Sequence, residues 1–303
     1  MAIISYLKKS DVNILKDLSI EMGCSFAYLE KDYYIVQLIQ CLQNLSLDGH
    51  RLVFTGGTAL AKAYRSIERF SEDCDFILIG ENLNRSKLSK IRAIIDNHIR
   101  NYGFEVLEVK PKNNNRNIEF SIKYEKIAEV GVALRNELKL EIIYKDIHPN
   151  TTQQNVQSFL SQAKHDACDI ESVECLSISD IATGKISALI WRYLDTSKQP
   201  DNTLIRHLYD LTAISHSLMQ SIEFKKNAGM VIKRDLDDRL KEPDLCPREA
   251  GNRLISLLES NPKYKQDYDY YLGSFLFTSK IDSKITFEDC LISIKEILDF
   301  IDW

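Results

Sequence analysis

The chain reads as an α+β protein: an α/β lobe with its own N-terminal helices over residues 1–176, then a mostly helical lobe over 177–303. Three observations predict this. Short apolar runs of strand length alternate with helical spacing as far as VECLSI near residue 176. From Ser177 onward only three- and four-residue periodicity remains, in DIATGKISALIWRYLD, LIRHLYDLTAISHSLM and the segments after them. Hydrophobic residues make up 44% of the chain and charged residues 27%, interspersed, which supports a sizeable core and excludes a disordered class.

Ser10-Asp11 is a helix start, followed by VNILKDLSIEM with helical spacing. A second helix holds YLEKDYYIVQLIQCLQNL, where Tyr34, Leu38, Cys41 and Leu45 recur at three- to four-residue steps. RLVFT (51–55) is a short buried strand, ended by Gly56-Gly57, and Thr58 can cap the helix ALAKAYRSI. DCDFILI (73–79) is the next strand. The amphipathic helix NRSKLSKIRAIIDNHIRNYG follows, with Leu88, Ile91, Ile95 and Ile99 inward and Gly103 as its stop. FEVLEVK (104–110) and IEFSIKYE (118–125) form a hairpin through the polar turn PKNNNRN. ELKLEIIYKD (137–146) alternates as a strand, HPNTTQQNVQ reads as a loop, and VECLSI as a last strand.

Composition narrows the function. A formal net charge of −5 argues against adhesion to nucleic acid over the whole surface, while leaving room for a local basic patch. Seven scattered cysteines without a CxxC pair read as reduced core thiols of a cytoplasmic protein and not as a zinc site. No run of about 18 apolar residues occurs, so no membrane span is expected.

The chemistry concentrates in FTGGTALAKAYRSIERFSEDCDFILIG. Strand side chains alternate, so Asp73 and Asp75 share a face and Cys74 takes the other. Two carboxylates so placed raise each other's pKa unless a cation neutralises them. A hard divalent ion, Mg²⁺ or Mn²⁺, prefers such oxygen ligands and keeps room for substrate phosphates. Gly56-Gly57 supplies the complement: glycine lets backbone approach a ligand, and the next helix offers N–H groups to an anion. The layout suits phosphoryl or nucleotidyl transfer from an NTP. Glu141 is the candidate third metal ligand, because in LKLEIIY it lies with Lys139 on the face opposite Leu138, Leu140 and Ile142. Bland readings stand beside these. A Gly-Gly pair alone is a common turn, two acids can simply cap a strand end, and Lys139 with Glu141 can serve solubility. Neither a Walker P-loop nor a GxGxxG fingerprint is present.

GGTALAKAYRSIERFSEDCDF resembles the signature of the DNA polymerase β-like nucleotidyltransferase superfamily, and more specifically its AbiEii/MenT toxin branch. LEKDYYIVQLI upstream, then LKLEIIY, SDIATGKISALIWR and RHLYDLTAI downstream, fall in that branch's order. The resemblance implies a mixed sheet in the first lobe, with Gly56, Gly57, Thr58 and Ser71 around the triphosphate and Mg²⁺ on Asp73 and Asp75. It implies Lys185 gripping the triphosphate and Asp210 acting in catalysis, as a base. It further implies an RNA acceptor, the 3′ end of a tRNA, and a cognate antitoxin. Fifteen residues, 58–72, separate Gly57 from Asp73, somewhat more than the superfamily's usual gap.

Alternatives remain open at this level. Lys185 can snorkel from a core helix, and Arg206 with Asp210 can be only an i,i+4 ion pair. Lys62, Arg65 and Arg69, and likewise Arg85, Lys87, Lys90 and Arg92, read either as solvated faces or as a surface tracking RNA phosphates. A non-catalytic nucleotide- or RNA-binding module, and kinase-like γ-phosphate transfer to a protein, are the competing functions.

Overall fold

The computed structural model describes residues 3–81, 83–128, 134–145, 149–195, 204–240, 245–276 and 284–303. They form two compact units, one within Met1–Leu176 and one within Ser177–Leu276 together with the segment running to Trp303.

Two helices open the first unit, α1 (Lys9–Met22) and α2 (Phe26–Gln43). Gly23, at φ +60°, closes α1 in the left-handed conformation, and the Ser25 hydroxyl caps α2 by accepting from the Ala27 N–H. The predicted start at Ser10 lies inside α1, whose cap is Lys8. Helix α2 is buried nearly all round, and its burial includes three consecutive charged residues, Glu30, Lys31 and Asp32. Each is paired with a different segment. The Glu30 carboxylate accepts from the Ile127 and Ala128 N–H groups at 2.5 and 3.2 Å. The Lys31 ammonium donates to Glu72 at 2.6 Å and to the Arg135 carbonyl at 3.1 Å. Asp32 accepts from the Phe159 N–H at 2.9 Å and pairs with Lys62, whose ammonium lies 3.5 Å from the Phe159 ring centroid. Burial lifts the Asp32 carboxyl and depresses the Lys62 ammonium, and their contact opposes both shifts.

The strands are β1 (Arg51–Thr55), β2 (Asp73–Ile79), β3 (Glu105–Lys112), β4 (Asn117–Lys123), β5 (Leu138–Tyr144), β6 (Thr151–Val156) and β7 (Ile170–Leu176). They make one mixed sheet in the order β3-β4-β5-β2-β1-β7-β6. The central strand β2 runs antiparallel to β1 and parallel to β5. It is buried on both faces, as expected for an apolar run without alternation. The stretch read as a loop, HPNTTQQNVQ, contains the edge strand β6, antiparallel to β7. Its residues are almost all polar, so no hydrophobic alternation announces it.

Helix α3 (Gly56–Lys62) is shorter than expected and starts on the glycines themselves. Thr55, not Thr58, takes the cap position. The helix ends because Arg65 turns left-handed, at φ +51°, while the Tyr64 and Ser66 N–H groups fold back onto the Ala59 and Leu60 carbonyls. Helix α4 (Arg85–Tyr102) runs from an Asn84 cap to Gly103 at φ +111°. In the β3–β4 hairpin, Asn113, Asn114 and Asn115 all adopt positive φ, which Asn tolerates better than most side chains. A short α5 (Phe159–Ala163) precedes β7.

The second unit contains α6 (Ile178–Leu194), α7 (Ile205–Leu218), α8 (Ile222–Leu240), α9 (Pro247–Ser260), α10 (Pro262–Phe275) and α11 (Phe287–Phe300). Ser177 caps α6, and Thr286 with Asp289 forms a capping box at α11. Among the described residues no helix is long and apolar enough to cross a membrane. The seven thiols are free: Cys41, Cys74, Cys175 and Cys290 are buried, Cys24 and Cys168 half-buried, and Cys246 exposed. Burial pushes the Cys41 and Cys175 thiols up to about 12, which keeps them protonated and unreactive.

Replacing Asp32 by Ala strands the buried Lys62 ammonium. The expected cost is roughly 3–5 kcal/mol, read by denaturant unfolding. Combining Asp32→Ala with Lys62→Met is expected to recover part of that loss.

Candidate functional site

The end of β1 and the start of β2 meet in register, with Thr55 opposite Asp75. At the next residue the chain turns into α3. Gly56 has φ +80°, and a Cβ there would lie 2.2 Å from the Asp75 Oδ2. Gly57 has a different reason to lack a side chain, because its Cβ would lie 2.5 Å from the Arg69 Nη2 and 3.0 Å from the Ser71 Oγ. The first glycine thus lays bare backbone against an acid, and the second seats the helix start against a guanidinium.

Thr58 and Ser71 tie the turn to the acids. The buried Thr58 hydroxyl donates to the Asp73 carbonyl and lies 2.9 Å from the Ser71 hydroxyl. With seven residues α3 carries only a small dipole, so the fixed positive charge at the turn comes mainly from Arg69. That side chain is buried, and its Nη1 donates to the Phe70 carbonyl at 2.9 Å.

Asp73 is buried and Asp75 half-buried, both at the N-terminal end of β2. The Arg135 Nη1 lies 2.6 Å from the Asp73 Oδ1. Arg135 is itself held by its main chain: its N–H donates to Glu72 at 3.3 Å, and its carbonyl accepts from Lys31, which also grips Glu72. Sequence reasoning missed Arg135. Its only signal is a basic residue three positions before the strand that pairs in parallel with β2, and that pairing is invisible until the register is known.

Glu141 stands directly across from Asp75 on β5. Its Oε1 accepts from the Asn117 side chain at 2.9 Å, and its Oε2 lies 3.5 Å from the Lys139 ammonium. Among the described residues no three His, Cys, Asp or Glu side chains come together as a metal-holding group. The expected third ligand is therefore not brought into a triad, because neighbours on its own sheet face engage its carboxylate. Two acids remain, and they fit a divalent cation. The donors are hard oxygens on one strand face, the Asp73 Oδ1 is held by Arg135, and the Asp75 Oδ2 lies where a Gly56 Cβ would stand, against the bare backbone of the turn.

The expected stripe of Lys62, Arg65 and Arg69 does not form. Lys62 is buried on Asp32, Arg69 is buried behind Gly57, and only Arg65 is exposed, with its Nη2 on the Gln157 side chain. The second basic group holds: Arg85, Lys87 and Lys90 are exposed on α4, and Arg92 is half-buried.

In the second unit α6 carries Lys185 and α7 carries Asp210. The Lys185 Nζ lies 2.7 Å from the Asp210 Oδ2 and 3.4 Å from the His207 Nδ1. Asp210 is fully buried and Lys185 nearly so, so this lysine ends on a carboxylate inside the unit instead of snorkelling outward.

Residues 40–291 match the family model of the nucleotidyl transferase AbiEii toxin of type IV toxin–antitoxin systems. Among solved structures the chain is similar to MenT4, a nucleotidyltransferase toxin from Mycobacterium tuberculosis. The identity is 12% and the TM-score 0.52, covering 97% of this chain and 89% of that one. It also matches an antigenic nucleotidyltransferase-like protein from Paracoccidioides brasiliensis at 13% identity, TM-score 0.39, over 79% of this chain and 92% of that one. The Cid1 poly(U) polymerase matches at 15% identity, TM-score 0.26, over 45% and 38% respectively. No curated protein matches.

Gly56→Ala is expected to lower the melting temperature, since an alanine at that φ costs about 1–2 kcal/mol before its clash with Asp75 is counted. Thermal unfolding of the purified protein checks this. Lys185→Met alone removes the ammonium 2.7 Å from the buried Asp210 carboxylate, with an expected loss of roughly 3–5 kcal/mol. Adding Asp210→Leu should restore stability in denaturant titrations. A catalytic pair will leave that stable double variant inactive, whereas a merely structural pair will leave it active.

Proposed function

The chain belongs to the AbiEii nucleotidyltransferase toxin family, and from that premise we propose that it moves a nucleoside monophosphate from an NTP to a hydroxyl of an RNA acceptor. The acceptor proposed is the 3′ end of a tRNA, the reaction depends on Mg²⁺ or Mn²⁺, and a cognate antitoxin restrains the enzyme in the cytoplasm. In the transfer, the acceptor oxygen bonds to the α-phosphorus, the bond to the bridging oxygen breaks, and pyrophosphate leaves with that oxygen.

The observation that carries the reading is the contact of bare Gly56 backbone with the Asp75 carboxylate. It sets the N–H groups of the glycine turn, which suit phosphate, beside an acid that suits a cation, next to a second acid. A divalent cation held by Asp73 and Asp75 would supply Lewis-acid polarisation of the α-phosphate. The chain's own groups do the rest. Arg69 presents positive charge behind Gly57, toward the triphosphate. Thr58 and Ser71 hold the turn against β2, so the glycines and the acids keep their spacing. Arg135 orients the Asp73 carboxylate. The Lys185 ammonium is assigned to the leaving pyrophosphate, and Asp210 orients that ammonium while serving as the acid-base group of the pair.

The test uses NTPs labelled at the α- or the γ-phosphate, incubated with Mg²⁺, total RNA and the protein. The α-label is expected in RNA and the γ-label in pyrophosphate. Asp75→Ala is expected to reduce transfer roughly 100-fold or more. Equal transfer by that variant, or γ-label fixed on a protein, would overturn the proposal.

A further inference from the structure

A second basic site lies at the other end of the sheet from Gly56. Arg85, Ser86, Ser89 and Arg92 of α4, with Pro111, Asn114 and Asn115 at the tip of the β3–β4 hairpin, line a cavity of about 640 Å³. Both lining segments sit at the C-terminal ends of β2 and β5. Helix α4 follows β2, and Asn117, just after the hairpin tip, pairs with Ile143 near the end of β5. Asp73 and Asp75 sit at the opposite end of β2. Six residue steps along that strand, at about 3.3 Å each, put the two sites about 20 Å apart.

The lining is chemically one-sided. It offers two guanidinium groups, two hydroxyls and two carboxamides, with no carboxylate. The Arg92 Nη1 donates to the Asn115 Oδ1 at 2.9 Å, which fixes the guanidinium and the hairpin tip against each other. That bond uses one of the five donors an arginine carries. The first turn of α4 contains no acid, and Lys87 and Lys90 are exposed beside it. Such a cavity takes an anion with several acceptor oxygens, as phosphate has.

Among the described lining residues there is no aromatic ring and Pro111 is the one apolar side chain, so no aromatic platform holds a base, while the guanidinium, hydroxyl and carboxamide groups suit phosphate and sugar oxygens. A mononucleotide would find no aromatic platform for its base, whereas a sugar–phosphate backbone presents only the groups this lining satisfies. We propose that the cavity is a subsite for backbone phosphates of the nucleic-acid acceptor, engaging it about 20 Å from the reacting end and independently of base sequence. This rests on the RNA-acceptor reading above, and it adds a length requirement: only an acceptor spanning both sites gains from it. At about 3.4 Å per nucleotide step, that is roughly six steps.

The experiment measures binding without NTP or divalent metal, so it is separable from transfer. Labelled single-stranded RNAs of about 24 and about 4 nucleotides are titrated by fluorescence anisotropy across a range of salt concentrations. Two variants are compared with wild type: Arg85→Gln, whose side chain is exposed, and Arg85→Gln with Arg92→Gln, checked for a native melting curve. The double variant is expected to bind the long RNA about tenfold more weakly, with a salt slope lower by about 1.4, and the single variant about half that slope change. Losses should be equal for oligo-U and oligo-A, and the short RNA should be unaffected. NTP affinity should stay at the wild-type value. Unchanged affinity and slope in both variants would overturn the subsite, as would a loss confined to one base composition. A parallel loss of NTP affinity would also overturn it. If wild type binds the long RNA through these arginines yet transfers no nucleotide to any RNA, the transfer proposal fails and the subsite stands. If it transfers nucleotide with both variants binding normally, the reverse holds.

Discussion

Backbone pairing on the two sides of β2 runs in opposite senses, antiparallel from Arg51 opposite Ile79 to Thr55 opposite Asp75, and parallel from Asp73 beside Lys139 to Leu78 beside Tyr144. Everything at the candidate site depends on that arrangement. It brings the outgoing end of β1 and the incoming end of β2 to one margin of the sheet, so a glycine turn and two acids meet there without any long-range search by side chains. Register does the fine placement. A slip of one residue would turn Asp73 and Asp75 to the other face and drive Cys74 into their position. The apolar residues Phe76 to Ile79, buried on both faces, make such a slip expensive.

Supports for this margin come from an unexpected quarter. Glu30, Lys31 and Asp32 are consecutive on α2, so they leave the helix about 100° apart and reach three different segments. One holds the main chain at Ile127 and Ala128, one holds Glu72 and Arg135 next to Asp73, and one holds Lys62 at the end of α3. Taking three charges out of water is unfavourable, and a hydrophobic helix would pack here at less cost. What the charges provide is direction. An apolar contact tolerates sliding, whereas a carboxylate bound to two N–H groups or an ammonium bound to a carbonyl does not.

The sequence made the central features readable for physical reasons. DCDFILI is too apolar for anything but a central strand, Gly103 is a left-handed helix stop, and the hairpin through PKNNNRN announces its turn with asparagines. The resemblance in GGTALAKAYRSIERFSEDCDF led to the nucleotidyltransferase family, which the family match bears out over residues 40–291. Other features were hidden because composition reports charge and not its partner. Lys62 and Arg69 looked like surface cations, yet both are buried, Lys62 on Asp32 of α2 and Arg69 behind Gly57 with its Nη1 on the neighbouring Phe70 carbonyl. Strand β6 is polar in all but its last residue, Val156, and is held by main-chain pairing, which no side-chain pattern records. Lys31 reaches the Arg135 carbonyl across 104 positions, and no local spacing rule sees so far. The short α3 was misjudged because nothing in KAYRSI foretells that Arg65 turns left-handed. That early exit also explains the long interval before Asp73: the residues after Lys62 form a connection that carries Arg69 and Ser71 back to the glycines.

The burial of Arg69 moves the loss of its water from ligand binding to folding. Stripping water from a guanidinium is unfavourable, and when a mobile surface arginine closes on a ligand that penalty falls within the binding event. Behind Gly57 the water has already left during folding. An anion that bound at the turn, as proposed, would meet a dehydrated cation whose field is strong because little solvent intervenes and is only weakly damped by dissolved salt. Ionic strength should therefore grade the two ends of this sheet differently, loosening contacts on exposed arginines of α4 well before it weakens the pull at the glycines.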